Sequence, residues 1–383
     1  NLKDFEYPLR IFETLTFFEN IFLCVNVCRS YLKKAEEKNK SSVRFLVCEN
    51  KENLIEILKN QKRKSPVRQL DQKGENLVRA SMLADGCLVN PNPQFLNTFF
   101  QFTQAASFLT RNNASHLEYA IWFLLQIDPS ALTAVPFTLE RGIPKNNRSD
   151  GLEFSWKVRV WLWNLNFFPN LLAENYYSFP ETDTQVLNAK RFTSRGTLRE
   201  TFAQTADNPI DVVNIPNSNR FIGGFEHSLK DVNINEPAIR FKVLPSDTNL
   251  DNLYFRDPGY TIAHIYMQNG ALFELSSRIK IPTLFIQTKK PYQVVLLAKA
   301  IYRNTGLKFL PSTYLINNNI NNTRTILYLC PDSVNFFIDL TKDHILPCMN
   351  YKKPSEIDTT DLANKSVIDK YNNLFQELLN AYL

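Results

Sequence analysis

Glycine is scarce in this sequence: 10 of 383 residues, against 29 phenylalanines. Glycine lets a backbone take φ > 0 and approach a phosphate closely, so a chain this poor in it has few places for a phosphate-cradling loop. Neither Gly-x-Gly-x-x-Gly nor Gly-x-x-x-x-Gly-Lys-Ser/Thr occurs, which excludes the two common nucleotide-binding loops. Histidine is scarcer still, limited to His116, His227, His264 and His344. Of these, only His344 has a cysteine, Cys348, at a metal-ligand spacing. No two further ligands accompany that pair, so no metal is expected. The six cysteines are Cys24, Cys28, Cys48, Cys87, Cys330 and Cys348. Scattered through apolar runs of a long chain, they read as free thiols in a reducing compartment and not as a disulfide framework. A membrane span is also absent: the best candidate, residues 12–28, carries Glu13, Glu19 and Asn20, which are costly in lipid. The adjacent pairs Glu226–His227 and Arg256–Asp257 do not share a helix or strand face, so they read as surface charges and not as acid–base partners. With no catalytic residue and no cofactor site in view, the chain reads as a non-enzyme.

What is present is apolar and aromatic. Hydrophobic residues make up 44% and charged residues 21%, enough to bury a large core and too apolar for global disorder. The net charge is +6, and residues 1–80 hold 16 Lys/Arg against 11 Asp/Glu. The basic surplus therefore sits at the N-terminal end, where it suits a polyanionic partner.

Periodicity places the elements. Residues 8–34 read as a helix through Phe12, Leu15, Phe18, Phe22 and Val25, with Cys24 and Cys28 as small core hydrophobes on one face. Val43–Cys48 reads as a strand, 51–60 as a helix and 75–84 as a helix. Asn92 and Pro93 can open a helix marked by Phe95, Phe99, Phe102 and Ala106. Ser115 and Glu118 form a capping-box spacing ahead of a second apolar run that ends before Pro129. Together these predict an αα-hairpin over 90–128. Residues 152–163 alternate apolar and polar, which favours a strand. Residues 180–260 are rich in Pro, Asn, Asp and Thr, with a helix expected at 197–206 and a strand at 239–244. Further on, 293–303 reads as a helix ended by Gly306. Thr325–Cys330 and Val334–Leu340 read as a hairpin about Pro331–Asp332–Ser333. The chain closes with an amphipathic helix capped by Ser366, with Ile368, Tyr371, Phe375, Leu378 and Tyr382 along one face. No internal repeat is evident. The fold class expected is mainly α with minor β: a helical shell-like domain and an irregular, partly β protruding region. The domains expected are 1–136, helical with a basic N-terminal part; 137–260, aromatic and then irregular; and 261–383, α+β returning to the helical core.

Two groups of candidate site residues follow. Lys59, Lys62, Arg63, Lys64 and Arg68 fall in ten residues without an acid and are the nucleic-acid-binding candidates, suited to salt-dependent phosphate contact. Trp156, Trp161, Trp163, Tyr176 and Tyr177, with Phe375, Leu378 and Tyr382, are interface candidates, because aromatics concentrate at the centres of interfaces as well as in cores.

The paired helices Phe95–Leu109 and Leu117–Ile127, followed by the Pro/Asn-rich region, resemble in layout the coat proteins of partitivirus-type double-stranded RNA viruses. That resemblance implies a structural capsid protein that self-assembles through dimers into a closed shell, with RNA on the inner face, no membrane, and a location in the virion and the host cytoplasm. The alternatives are a nucleoprotein coating single-stranded RNA and an enzyme with an unrecognised site.

Overall fold

A computed structural model describes residues 7–10, 16–38, 42–48, 70–89, 99–106, 115–127, 135–141, 156–163, 177–178, 241–242, 249–286, 291–316 and 319–382. The chain forms two compact units. Unit 1 comprises residues 1–168 and 346–351, and unit 2 comprises 169–345 and 352–383. The structure is helix-rich, with its strands gathered mainly in two sheets. The division between the units falls at other positions than the boundaries read from composition.

Unit 1 begins with β1 (Tyr7–Arg10) and α1 (Phe17–Glu37). The helix starts later than its apolar periodicity suggests because Thr16 and Glu19 build a capping box. The Thr16 hydroxyl accepts from the Glu19 N–H, while the Glu19 carboxylate accepts from the Thr16 N–H at 2.7 Å. Next come β2 (Ser42–Cys48), α2 (Gln72–Leu83), β3 (Cys87–Val89), β4 (Phe99–Ala106), α3 (Ser115–Ile127), β5 (Val135–Arg141) and β6 (Trp156–Trp163). The sheet order is β1-β2-β5-β6-β4-β3, antiparallel except for β1 on β2. One face of this sheet is the core face: Val43, Phe45, Phe100 and Val160 are all buried. Tyr31 of α1 meets Phe45 edge-on at 6.5 Å, and Phe123 of α3 stacks on Phe100 at 5.9 Å. Cys24 and Cys28 are buried in the same core, as the sequence predicts. Burial also pushes the Cys28 thiol well above its ordinary pKa. Each large apolar side chain here contributes roughly 1.5–3 kcal/mol of burial.

Unit 2 holds the short pair β7 (Tyr177–Ser178) and β8 (Phe241–Lys242), then α4 (Pro258–Asn269), β9 (Gly270–Glu274), β10 (Lys280–Ile286), α5 (Pro291–Thr305), β11 (Phe309–Ile316), β12 (Asn319–Leu329), α6 (Val334–Thr341) and α7 (Leu362–Tyr382). Its main sheet is antiparallel in the order β11-β12-β10-β9. Gly306, at φ +78°, ends α5 as the sequence predicts. The Lys308 ammonium bridges the Asp332 carboxylate at 2.6 Å and the Asn372 amide oxygen at 3.2 Å, tying the start of β11 to α7.

The two units repeat one plan. In unit 1, α2-β3-β4-α3-β5-β6 gives the strand order β5-β6-β4-β3. In unit 2, α4-β9-β10-α5-β11-β12 gives β11-β12-β10-β9. The first strand of each repeat lies at an edge, the second and fourth pair in the middle, and the third lies outside the fourth. Sequence periodicity alone showed no repeat, because what is duplicated is an order of elements and not a string of residues.

Several local expectations are corrected. The αα-hairpin is half right: α3 stands where its second helix was predicted, but residues 99–106 of the first form strand β4 along the whole of β6. Val334–Leu340 is helix α6 and not a hairpin arm; Pro331–Ser333 makes one 3-10 turn leading into it. The last helix starts at Leu362, where the Asp361 carboxylate, and not Ser366, caps the Ala363 N–H at 2.9 Å. The helices expected at 51–60 and 197–206, and nearly all of the region expected to protrude, lie outside the described residues.

Candidate nucleic-acid interface

The register places a mixed set of residues on the face of the unit 1 sheet opposite its core face, with Leu46, Pro136, Phe99, Trp161 and Trp163 among the apolar ones. Directly paired residues share a face, so the register assembles two rows across the strands. One row reads Arg44, Thr138, Arg159, Thr103; the next reads Ser42, Glu140, Lys157, Ala105. Trp161 and Gln101 follow on the same face, and Arg10 joins it from β1 through its pairing with Cys48. Four basic residues and one acidic residue therefore stand on this face. The first row crosses three inter-strand gaps, about 14 Å at the usual strand spacing.

The second feature is where each repeat passes from helix to strand. Helix α2 is opened by Asp71, whose carboxylate accepts from the Gly74 N–H at 2.7 Å. It ends at Ala84-Asp85-Gly86, and β3 begins with the next residue. The Ser81 carbonyl accepts from the Gly86 N–H at 2.7 Å and from the Ala84 N–H at 3.0 Å. A Cβ on Gly86 would stand 2.6 Å from that carbonyl oxygen and 2.7 Å from the Phe100 ring. Only glycine allows this close approach. Asp85, the residue before it, is half-buried.

The matching junction in unit 2 is built from the same parts. Helix α4 is opened by Asp257 at its N-cap, which accepts from the Tyr260 N–H at 3.2 Å, with Pro258 in the first turn. It ends in Asn269-Gly270, and a Cβ on Gly270 would collide with the Tyr266 ring and lie 2.6 Å from the Tyr266 carbonyl oxygen. Asn269 stands where Asp85 stands in the first repeat. Its amide nitrogen donates to the Phe285 carbonyl of β10 at 2.8 Å. The Lys352 ammonium, nearly buried at 8% exposure, donates to the Met267 carbonyl at 2.6 Å and approaches the Tyr266 carbonyl at 3.4 Å. The Tyr266 hydroxyl in turn donates to the Lys352 carbonyl.

The structure places the sequence candidates as follows. Lys59, Lys62, Arg63, Lys64 and Arg68 lie outside the described residues, as does Tyr176. Trp161 and Trp163 fall on the register of β6 opposite the core face and Trp156 on the other; Tyr177 is in β7. Phe375 and Leu378 are buried inside unit 2, where Phe375 meets Tyr302 at 5.0 Å, and Tyr382 ends α7. Arg256 and Asp257 are occupied locally: the Arg256 guanidinium donates to the Asn252 carbonyl, and Asp257 caps α4. Among the described residues no three His, Cys, Asp or Glu side chains converge, and no helix is long and apolar enough to cross a membrane. Sequence reasoning missed Arg44, Arg159, Asp85, Asn269 and Lys352. A findable signal was the twice-used string of an apolar helix ending in Asp-Gly or Asn-Gly and continuing directly into an apolar strand.

No protein-family model matches this chain, and no curated protein matches it. Solved structures do. The homing endonuclease I-WcaI bound to its DNA recognition sequence matches at 14% identity and a TM-score of 0.44, over 78% of this chain and 93% of that one. The homing endonuclease I-DmoI in complex with DNA and manganese matches at 10% identity and a TM-score of 0.29, over 70% of this chain and 97% of that one. No residue is carried across at such scores. These findings replace four expectations: a self-assembling coat protein, a virion component, RNA inside a shell of identical copies, and a chain without enzymatic activity. The physical reason lies in the fold. Of the residues assigned to self-contact, Phe375 and Leu378 are buried within unit 2, and the presumed helix pair contains strand β4.

Proposed function

We propose that this chain is a DNA-cleaving enzyme of the homing endonuclease kind, which grips duplex DNA with the face of its unit 1 sheet opposite the core face. The observation that carries this reading is the register row Arg44, Thr138, Arg159, Thr103 with Lys157 and Arg10 beside it. The major groove of B-DNA is about 12 Å wide and admits a two-stranded β-ribbon, so a row of about 14 Å over four strands would run along it and not across it. Arginine pairs with guanine O6 and N7 or with phosphate, and threonine serves base edges and the thymine methyl.

Asp85 is the carboxylate we assign to the hydrolytic step. It follows a helix C-terminus, whose partial negative charge favours cations. Magnesium-type ions are commonly held by one or two carboxylates together with substrate phosphates and water. Asp85 would be one ligand of an ion held mainly by substrate phosphates and water, since no cluster of acids converges among the described residues. Such an ion would supply charge neutralisation at the phosphate and a more acidic water. The chain's own part is to place Asp85 beside a tight glycine turn and to hold the duplex against the sheet.

The test is binding and cleavage together. The purified chain should retain random-sequence duplex DNA over single-stranded RNA of equal length in fluorescence anisotropy, with affinity falling steeply as salt rises. It should also cut members of a random-sequence plasmid pool in magnesium buffer, and Asp85→Asn should abolish cutting while leaving retention intact. Equal retention of both nucleic acids, or cutting unaffected by Asp85→Asn, would overturn the reading.

A further inference from the structure

The rows of the unit 1 sheet differ from one another in composition. By register, Arg44 pairs with Thr138, Thr138 with Arg159 and Arg159 with Thr103, so arginine and threonine alternate from strand to strand. The neighbouring row holds Ser42, Glu140, Lys157 and Ala105. We propose that the alternating row reads sequence: Arg44 and Arg159 each recognise a guanine, the two guanines lie three base pairs apart in the major groove, and Lys157 in the next row meets the phosphate backbone. This rests on the assignment of that face to duplex DNA made above.

Across the sheet, neighbouring strands are about 4.8 Å apart. Arg44 on β2 and Arg159 on β6 are separated by one strand, β5, so their positions lie roughly 9.6 Å apart. Bases along one strand of DNA rise about 3.4 Å each, and three steps come to about 10 Å. A row laid along the groove therefore keeps step with the bases, and both arginines meet base pairs in a fixed relation. Thr138 on β5 and Thr103 on β4 are also two strand gaps apart and repeat the same period.

Along each strand, positions on one face recur about every 6.8 Å. The major groove is about 12 Å wide, so its walls lie roughly 6 Å to either side of its midline. With the arginine row on the midline, the Lys157 row falls at a wall, where the phosphates are. The residue types suit this division. Arginine matches guanine O6 and N7 with two hydrogen bonds, whereas threonine accepts several base edges. Two arginines then select, and the threonines beside them leave their positions permissive. Lysine is a compact point charge that suits phosphate without regard to sequence. Glu140, the one acid of the two rows, is the direct cross-strand partner of Lys157. It reduces the attraction that any duplex would feel and leaves base contact to decide.

The experiment is selection of duplexes from a random-sequence library by the full chain, followed by anisotropy on the selected duplexes. The expected result is enrichment of guanines three base pairs apart, on either strand. Replacing one of them with adenine should weaken binding about tenfold or more. Arg159→Gln should move the preference at one of the two positions from guanine to adenine, the base glutamine matches, and leave the other unchanged. Arg44→Gln should do the same at the other position, so a variant that does not fold leaves a second reading. Lys157→Ala should weaken all sequences alike and lower the salt slope by about one. Duplex binding with no enrichment at that separation, or arginine variants that weaken every sequence equally, overturn the proposal and leave the assignment of the face standing. A changed base preference in Lys157→Ala overturns the division between the rows. Failure to retain any duplex overturns the assignment of the face and this proposal with it.

Discussion

The sheets of unit 1 and unit 2 share a strand order and a register yet differ in what they present. Aligned on their junction glycines, Gln101 corresponds to Thr283, Thr103 to Phe285, Trp161 to Tyr328, Arg159 to Ile326 and Thr138 to Ser312. In unit 1 the register puts Gln101, Trp161, Thr103, Arg159 and Thr138 at these positions. In unit 2 Thr283, Ile326, Tyr328, Leu310 and Ser312 are all buried, and so are Leu284, Leu327, Leu329 and Phe309 on the opposite face. A sheet buried on both sides is a core. In unit 2 the same backbone plan makes a sheet that is buried on both sides. The junctions follow suit, with a half-buried acid in unit 1 and a buried lysine in unit 2.

Exchanging the matched residues tests this contrast most severely. Ile326→Arg puts a charge into the unit 2 core and should cost on the order of 3–5 kcal/mol, as for an uncompensated buried charge. Denaturant unfolding with exchange of the Leu327 and Leu329 amides would register it, and an unchanged midpoint would show that this face is open. Lys352→Met removes charge-assisted bonds to the end of α4 and should cost roughly 1.5–3 kcal/mol. That loss should appear as reduced protection of α4 and β9 with the α2 and β3 amides unaffected. Arg159→Ile, the converse of the first exchange, should leave stability within about 0.5 kcal/mol. It should nonetheless weaken duplex binding about tenfold or more, in line with roughly 1–3 kcal/mol for an arginine–base contact. Isotherms that superimpose on the native ones would remove Arg159 from the interface.

The smallest effect concerns pH. Hydrogen bonds from the Thr16 hydroxyl and N–H hold the exposed Glu19 carboxyl below its ordinary value. A depressed folded-state pKa gives stability that is present above the unfolded value and lost as pH falls through the folded one. Acid should therefore fray the first turn of α1 ahead of global unfolding, and Thr16→Ala should bring that fraying to higher pH. Amide exchange at residues 17–20 would follow it.

Much of the helix layout was legible because helix ends are written locally. Helix α3 begins at Ser115, where the Ser115–Glu118 spacing placed a start, Gly306 closed α5, and Cys24 and Cys28 were identified as core. The alternation of 152–163 gave β6. The arginine row was not legible, because no single strand contains it: Arg44 and Arg159 are 115 positions apart and come together only through β5. The basic run at 59–68 drew attention because it is contiguous, whereas the sheet spreads its cations over three strands.

The sequence by itself determined where helices could start and stop and which residues could not face water, since caps, glycine turns and apolar periodicity act over a few residues. Only the tertiary structure decided that residues 99–106 are a strand. Phe99, Phe102 and Ala106 suit a helix face, while Phe100 and Gln101 also suit the two faces of a strand, and the tie is broken by pairing with β6 some 60 residues away. The same long-range pairing made the unit 2 sheet a core buried on both faces, because a strand's burial is fixed by what covers it and not by its own residues.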